Sequence, residues 1–387
     1  MARWQSLPAV PGGTVISKAA FGVAAAFIVG IGTAFAAGPQ VVAGPASDTQ
    51  CYVPWTAQTK FFQYPKKPGP YRVALANGFI GNTWRIQMIK TAKAYAEQPE
   101  VKAKLKEFKV VSTGEDIAAQ ISAINNFIDS GYDAVIVDAQ NPTAFRSVVR
   151  RAQQAGVVLI AFDNTIDTDE AINVNVDQTG LGKYWGDWLV KSLPKGGSIL
   201  EVRGVTGTSV DTDRHKGLQD ALQASGKPFQ TVEVIGKWDD GTAQKVAADA
   251  ISVHGHFDGM TAQGGSTGMV RAFMDANQPF VPAGAETENG FRKLCLAHEG
   301  EGLKCASGGT GPAQVAVAMK TALAALEGLV VPQAIRLPLA HVEDPDFKAG
   351  ENTFPNQTDN FFVGNSFPTC GISFSAQEIM GQSETNQ

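Results

Sequence analysis

The feature that most constrains the fold is a regular alternation of apolar runs with helical patterns, which begins at Tyr71 and continues to about residue 340. The first half contains the strand-like runs YRVALA, EFKVVS, DAVIVD, GVVLIAFD and INVNVD, with helical segments between the first four. In one such segment Ile117, Ile121 and Ile124 recur at positions i, i+4 and i+7, which is one face of a helix. Continuous apolar strands separated by helices are typical of a parallel sheet that is buried on both faces.

The rhythm restarts after INVNVD. The runs GSILEVRG, FQTVEVIGKW, GMTAQGG and FVPAGAE alternate with helical segments, and a last helix, PAQVAVAMKTALAALEG, precedes VPQAIRLPLAHV. The sequence therefore predicts two α/β domains of similar size. The segment after Ala340 is loop-like and aromatic, so we expect it to wrap the surface, and we expect the final QSETNQ to be disordered.

The first 36 residues have the pattern of a secretory signal peptide. Arg3 and Lys18 precede an uncharged apolar run, and the run ends at the small residues of an Ala34-Phe35-Ala36 cleavage site. A membrane anchor is the alternative, because the run approaches the ~20 residues that span a bilayer. Its many Ala and Gly residues favour cleavage. Residues 37–70 are rich in Pro and Gly and are expected to form an irregular leader.

Charge and cysteine content narrow the function further. A net charge of −5, with the charges dispersed, argues against a nucleic-acid-binding protein. Four cysteines in an exported chain suggest two disulfides, for which three pairings exist. Cys295 and Cys305 flank LAHEGEGLK, so a local bridge is our first choice, and it leaves Cys51 with Cys370. Four free thiols are the alternative. No zinc-type spacing is present, and we expect no metal and no cofactor.

Four motifs occur in order along the rhythmic region: GNTWR after the first strand, DAVIVDAQNP with AFDN, GVTGTSVDTDRHKG, and GKWDDGTAQK. Their order and spacing over about residues 71–340 resemble the periplasmic sugar-binding proteins of the ribose-binding type, which serve ABC importers. The resemblance implies the type I periplasmic binding fold: two Rossmann-like lobes with parallel sheets, joined by a three-strand hinge, with a sugar in the cleft between them.

The resemblance also suggests domain limits. We expect an N-terminal lobe at residues 71–176 plus 310–337 and a C-terminal lobe at 177–309 plus 338–375. A disordered tail would then occupy residues 376–387.

Polar and aromatic residues follow several of the predicted strands. In open parallel sheets, ligands bind outside the carboxyl ends of the strands. Aromatic rings suit the apolar C–H faces of a sugar, and Asp, Asn and Arg suit its rim of hydroxyls. The resemblance implies hydroxyl-binding positions at Asn82, Asp163, Asn164 and Arg214, and ring-stacking positions at Trp84 and Trp238. Arg85 and Glu286 complete the predicted ligand site, at positions where the family has an aromatic residue and an Asp.

Each of these residues also has a simpler interpretation. Arg85 could be a solvated surface charge, Asn164 could only form a turn, and Glu286 could pair with Arg292. Asp211 and Asp213 are interpreted as solvated loop acids rather than ligands.

This chain departs from the family pattern at two further positions. Gly264 and Gly265 stand where an Asn-Asp pair is usual, and Gly309 stands where a Gln is usual. The loss of these side chains together with the gain of Arg85 argues against ribose. The hypothesis from the sequence is a bulkier or partly acidic ligand, such as a hexose or a sugar acid.

Two classes of function compete. The first is a periplasmic solute-binding protein, a monomer that captures a sugar-like solute by hinged closure and delivers it to an ABC permease. Presentation of the ligand to a chemoreceptor is compatible with that function. The alternative is an exported carbohydrate-active enzyme that uses Asp163 and Glu286 as its two carboxylates. A sugar-sensing repressor is excluded, because a signal-peptide pattern replaces the basic DNA-binding head. We expect a binding protein and not an enzyme.

Overall fold

A computed structural model describes residues 38–385 of the chain. The expected signal peptide at residues 1–36 lies outside the described residues. Within residues 38–385, no helix combines the length and the apolar character needed to cross a membrane. The leader is not irregular throughout, because it contains two short antiparallel strands: β1 (Gln40–Val42) and β2 (Phe61–Gln63).

The first half of the rhythmic region forms five strands with helices between them. In chain order the elements are β3 (Tyr71–Asn77), α1 (Thr83–Glu97), α2 (Pro99–Lys102), β4 (Leu105–Ser112), α3 (Ile117–Asp129), β5 (Ala134–Asp138), α4 (Arg146–Gln154), β6 (Val158–Phe162) and β7 (Ile172–Asn175). Strands β5 and β6 are buried along their whole length, as the continuous apolar runs predict.

The second half repeats this plan. Its elements are α5 (Gln178–Ser192), β8 (Gly197–Arg203), α6 (Ser209–Ala224), β9 (Phe229–Ile235), α7 (Asp240–His254), β10 (Gly259–Ala262), α8 (Ser266–Asp275), β11 (Ala283–Ala285), α9 (Asn289–His298) and β12 (Cys305–Gly309). The chain continues through α10 (Gln314–Leu326), β13 (Val331–Pro332), β14 (Ala334–Arg336) and β15 (Ala340–Glu343).

The two large sheets have matching strand orders. The first is β14-β7-β6-β5-β3-β4 and is parallel throughout. The second is β15-β12-β11-β10-β8-β9, in which only β15 is antiparallel to its neighbour among the described strands. Each sheet with its helices forms one lobe, so the two-lobed α/β fold expected from the sequence is confirmed. The strand order reverses beside β3 in one lobe and beside β8 in the other, and such switch points are where ligands bind.

Three crossovers join the lobes, as expected for a three-strand hinge. They run from β7 to α5, from β12 back to α10, and from β14 to β15. Strand β13 instead pairs with β2, so the leader is attached to the first lobe by a three-stranded antiparallel sheet.

Several helices begin at side-chain caps that the sequence contains. Their N-cap residues are Asn82, Asp116, Asp177, Thr208 and Asp239, and each accepts a hydrogen bond from a backbone N–H of the first turn. Such caps contribute about 1 kcal/mol each to helix stability. They also fix where α1 and α6 start, and therefore where the residues of their first turns point.

The C-terminal segment departs from the expected domain limits. Its elements are β16 (Ser366–Phe367), β17 (Ile372–Ser373) and α11 (Ala376–Met380). Phe367, Phe374 and Ile379 are buried in the core of the first lobe, not the second. The limit at residue 375 and the disordered tail are therefore wrong up to residue 385, where description ends. The physical reason is apolar burial: this segment covers α1, and Ile379 is fully buried.

Both disulfides favoured from the sequence are confirmed. Cys295 bonds Cys305 across 10 residues within the second lobe, and Cys51 bonds Cys370 across 319 residues. The long-range bridge joins the leader to the C-terminal segment, and both of its cysteines are buried in the core of the first lobe.

Candidate functional site

A small cavity of about 30 Å³ lies between the two lobes, at the carboxyl ends of their strands. All of the predicted site residues except Asn164 line it. The full lining is Asn82, Trp84, Arg85, Asp163, Val210, Arg214, Trp238, Gln263, Gly264, Glu286 and Phe362.

Arg85 is held by the ends of two adjacent strands. The parallel register places Asn77 at the end of β3 beside Asp138 at the end of β5. Arg85 projects from the first turn of α1 and is 2 % exposed, so it is not a solvated surface charge. Its Nη1 donates to Asn77 Oδ1 at 2.8 Å and lies 2.6 Å from Asp138 Oδ2. The guanidinium is therefore held against the buried carboxyl group of Asp138.

Asp163 directly follows β6 and has an unusual backbone conformation. Its φ of +56° lies in the left-handed region, which few residues other than Gly, Asn and Asp adopt. Gln314 Nε2 donates to Asp163 Oδ1 at 2.9 Å, and Asn175 Nδ2 donates to the Asp163 carbonyl at 2.7 Å. These bonds aim a buried carboxylate into the cavity. Backbone strain of this kind is concentrated at functional sites.

Arg214 and Glu286 form the matching ion pair on the second lobe. Arg214 Nη2 donates to Glu286 Oε1 at 2.8 Å, Nη1 donates to the Gln263 carbonyl at 2.7 Å, and Nε donates to Gln178 Oε1 at 2.8 Å. Both residues of the pair are buried. Glu286 therefore pairs with Arg214 rather than with Arg292. Thr287 N occupies the other carboxylate oxygen of Glu286 at 2.7 Å.

Two carboxyl groups and two guanidinium groups line the cavity, and a third carboxyl group, that of Asp138, lies against Arg85. Burial raises the pKa of Asp138 to about 8, and it also raises the pKa of Asp163 and of Glu286, while the nearby arginines oppose each increase. Ionisation of all three carboxyls would leave an uncompensated negative charge out of water, which is costly. One retained proton makes the cluster neutral. No unpaired positive charge remains among the described lining residues, and this disfavours the sugar-acid hypothesis.

Two glycines that depart from the family pattern make room for other site residues. Gly264 has φ +152°, and a Cβ there would lie 2.9 Å from Trp238 Cδ1. Gly309 has φ +156°, and a Cβ there would lie 2.2 Å from Glu286 Oε2. A side chain at either position would displace a wall of the cavity. The glycines therefore accommodate Trp238 and Glu286, and they are not evidence for a bulkier ligand.

Aromatic rings contribute to the cavity from both lobes. Trp84 is 8 % exposed, and its Nε1 donates to the Thr310 carbonyl at 3.4 Å in the crossover before α10. Trp238 and the preceding Lys237 both have positive φ, at +58° and +54°. Two consecutive residues other than glycine in this region are costly, and here they turn the indole toward the cavity.

Asn164 was predicted to bind ligand, but it lies behind the cavity. It is fully buried, and its Nδ2 donates to Asp138 Oδ1 at 3.1 Å and to Asp163 Oδ2 at 3.2 Å. Its Oδ1 accepts from Val210 N at 3.2 Å, across the cleft. Asn164 therefore positions two carboxylates and joins the lobes. Because Asn164 is fully buried, its side chain bonds to these protein groups and not to a ligand.

Asp211 is another correction, because it is buried rather than solvated. Its Oδ2 lies 2.7 Å from Arg203 Nη2, and its Oδ1 accepts from Gly204 N at 3.1 Å. It stabilises the start of α6, which carries Arg214. Asp213 is partly buried, so it is not fully solvated either.

Val210, Gln263 and Phe362 were not predicted. Gln263 follows strand β10, so the strand-end rule that identified Asp163 would have found it. Phe362 belongs to the C-terminal segment, and no local pattern places it in a cleft.

Three side chains of the types that bind metal ions lie close together on the second lobe. Glu201, His215 and Glu233 offer atoms within 4.8 Å of one another. Arg203 Nη1 already donates to Glu233 at 2.8 Å, and His215 Nδ1 lies 3.0 Å from Glu201. The cluster is satisfied by its own ion pairs and lies apart from the cavity.

The chain is similar in sequence to several sugar-binding proteins. It is 28% identical over 201 residues to the D-ribose/D-allose-binding protein of Pseudomonas aeruginosa, covering 49% of this chain and 60% of that protein. It is 30% identical over 145 residues to the galactofuranose-binding protein YtfQ of Escherichia coli, covering 36% of this chain and 44% of that protein. The matches thus span about half the length of these two relatives.

A solved structure matches over a larger share of the fold. An ABC transporter solute-binding protein from Thermobispora bispora superposes with a TM-score of 0.66 at 27% identity, covering 71% of this chain and 86% of that chain. The family model described as periplasmic binding protein domain matches residues 73–329. That match covers both lobes and every predicted site residue, so the chain belongs to the family of periplasmic binding protein domains.

Proposed function

We propose that the protein is the periplasmic solute-binding component of an ABC importer, which captures a neutral monosaccharide or a similar polyhydroxylated solute between its lobes. Closure of the lobes about the hinge holds the solute, and the closed form delivers it to the membrane permease. The carrying observation is the cavity itself, where the Arg214–Glu286 pair, Arg85 and Asp163 line one space together with the rings of Trp84 and Trp238.

Unpaired polar atoms at the cavity support a ligand with many hydroxyls. Among the described residues, Trp238 Nε1 and Gln263 Oε1 are buried without a hydrogen-bond partner, as are Thr310 Oγ1 and Gln314 Oε1 next to the lining. Buried polar groups without partners are rare and costly. A solute that offers both donors and acceptors would satisfy them. A neutral sugar or polyol does so without adding a charge.

The relatives support the cellular setting. One similar protein is the D-xylose-binding periplasmic protein of Escherichia coli, 27% identical over 171 residues. Residues 1–36 would then direct export, and the mature chain would act in the periplasm as a monomer. Presentation of the closed form to a chemoreceptor is compatible with the same surface.

A thermal-shift screen of the mature protein tests this proposal. Pentoses, hexoses, polyols, sugar acids and amino acids are compared at equal concentration. We expect stabilisation by a neutral sugar or polyol, of about 2.7 kcal/mol at 100 times its dissociation constant. Trp84→Ala should reduce the shift and weaken binding by about tenfold, because a stacking surface is lost.

A matched control is Trp55→Ala, which removes an indole of the leader that does not line the cavity. Stabilisation by amino acids alone would contradict the proposal. Release of products from a sugar glycoside by the purified protein would instead favour the enzyme that uses Asp163 and Glu286. Both carboxylates of that pair are already engaged, with Gln314 and Arg214 respectively.

A further inference from the structure

The C-terminal strap, defined as residues 344–374, lies outside the family match, which ends at residue 329. It begins on the second lobe, where Phe347 is buried in the core. Asn289 Nδ2 donates to the Phe354 carbonyl at 2.9 Å, and Arg292 Nη1 donates to the Asn352 carbonyl at 2.8 Å. The first part of the strap is therefore fixed to helix α9.

The strap ends on the first lobe. Phe367, Ile372 and Phe374 are buried in that lobe's core, and the Cys51–Cys370 disulfide fixes the strap to the leader. The strap is thus a fourth covalent connection between the lobes, in addition to the three crossovers of the hinge.

The strap crosses from the second lobe to the first at residues 361–363, and both lobes form hydrogen bonds with its backbone there. On the first lobe, Gln87 Oε1 accepts from Phe362 N at 2.9 Å, and Gln87 Nε2 donates to the Phe362 carbonyl at 3.0 Å. On the second lobe, Asn289 N donates to the Phe361 carbonyl at 2.8 Å, and Val363 N donates to the Thr287 carbonyl at 2.9 Å. These bonds fix the backbone on each side of one side chain, Phe362.

Phe362 lines the same cavity as Trp84 and Trp238 and is 3 % exposed. The buried side-chain amide of Gln87 bonds to both backbone groups of Phe362, so the ring has little freedom to move away from a ligand. Aromatic rings in such positions contribute dispersion and burial of apolar area to binding.

We propose that the strap supplies Phe362 as a specificity-determining wall of the ligand cavity. A solute with an apolar C–H face against this ring is retained, and a solute with a bulky substituent at that face is excluded. This inference rests on the proposed capture of a sugar-like solute in the cleft.

The test compares F362A, F362L and F374A with the wild type by calorimetric titration across the sugars and polyols that the wild type binds. Phe374 is the matched control, because it is a buried ring of the same strap that packs against Tyr95 and does not line the cavity. We expect F362A to bind the preferred solute about tenfold or more weakly, with a smaller loss for F362L. In F362A, the affinity for larger analogues should rise relative to the affinity for the preferred solute. In F374A, the order of affinities should stay that of the wild type.

An F362A variant with the affinities and ranking of F374A would overturn the inference while leaving the proposed function intact. If F362A does not fold, the order of solute affinities in F362L is compared with that of F374A in the same way. Failure of the wild type to bind any sugar or polyol would overturn the proposed function, and this inference with it.

Discussion

At the scale of single residues, the buried charge cluster should make folding stability depend on pH. The pKa of Asp138 is raised to about 8 by burial, so the folded state keeps a proton that the unfolded chain loses near pH 4. Stability is therefore highest below the unfolded pKa and falls as pH rises through the folded pKa, by at most about 1.4 kcal/mol per pH unit. Urea unfolding of the ligand-free protein from pH 5 to pH 8 measures this slope.

Asp138→Asn is the variant that isolates the effect. Its free energy of unfolding should be close to that of the wild type near pH 5, where Asp138 is protonated, and should fall less than that of the wild type toward pH 8. Other buried carboxyls with a raised pKa, such as Glu201 and Asp163, act in the same direction, so the difference between the two proteins is the informative quantity. Equal slopes would contradict the assignment to Asp138. Asp249→Asn, an exposed change, controls for a general charge effect.

The strand-end rule predicted most of the site because it depends on local sequence. Asp163 and Glu286 each follow an apolar run, and parallel strands bring such positions to one edge of a sheet. The rule could not show that Arg85 is held against Asp138, because that contact depends on the register of β3 against β5. It also could not assign Asn164 to a supporting role. The residues that contact a ligand and the residues that hold them in place are of the same types, so residue type alone does not separate them.

At the scale of elements, the two disulfides should differ in their effect on stability. A bridge stabilises mainly by restricting the unfolded chain, and the effect grows with the length of the closed loop. Cys51–Cys370 closes 319 residues and Cys295–Cys305 closes 10. We expect C51S/C370S to lower the free energy of unfolding by up to about 5 kcal/mol, and C295S/C305S by about 2–3 kcal/mol.

Chemical denaturation of the two double variants checks the ranking. The short bridge serves as the internal control, because both variants replace two buried cysteines by serine. A larger loss for C295S/C305S would show that packing around the second lobe's bridge outweighs chain entropy.

The regular elements were predictable because their hydrophobic periods are strong and local. Strands β5 and β6 and helix α3 appear where the apolar runs and the isoleucine spacing place them. The strap and α11 were not, because their position depends on contacts with α9, α1 and the leader. A segment without periodicity carries no local signal of which lobe it covers, and the limit at residue 375 failed for that reason.

At the scale of the whole molecule, contacts outside the cavity also join the lobes. Lys237 Nζ lies 3.0 Å from Glu115 Oε1, between the β9–α7 loop of one lobe and the β4–α3 loop of the other. Both side chains are about half exposed. Deeper in the cleft, Thr165 N donates to Ser209 Oγ at 3.0 Å, and Val210 N donates to the fully buried Asn164. The buried contacts should carry most of the closure energy.

Ligand affinity should therefore separate the outer contact from the inner one. We expect Glu115→Gln to change the dissociation constant of the preferred solute by less than about fivefold, because exposed ion pairs contribute little. That difference should disappear at about 1 M NaCl, where the Debye length is near 3 Å. Asn164→Ala should weaken binding by more than about tenfold at either salt concentration, because it removes one hydrogen-bond donor from each of the buried carboxyl groups of Asp138 and Asp163. Lys245–Asp249, an exposed pair within one lobe, supplies the control D249N, which should leave affinity unchanged. A salt-insensitive loss in Glu115→Gln larger than that in Asn164→Ala would mean that the rim of the cleft, rather than its buried floor, holds the lobes closed.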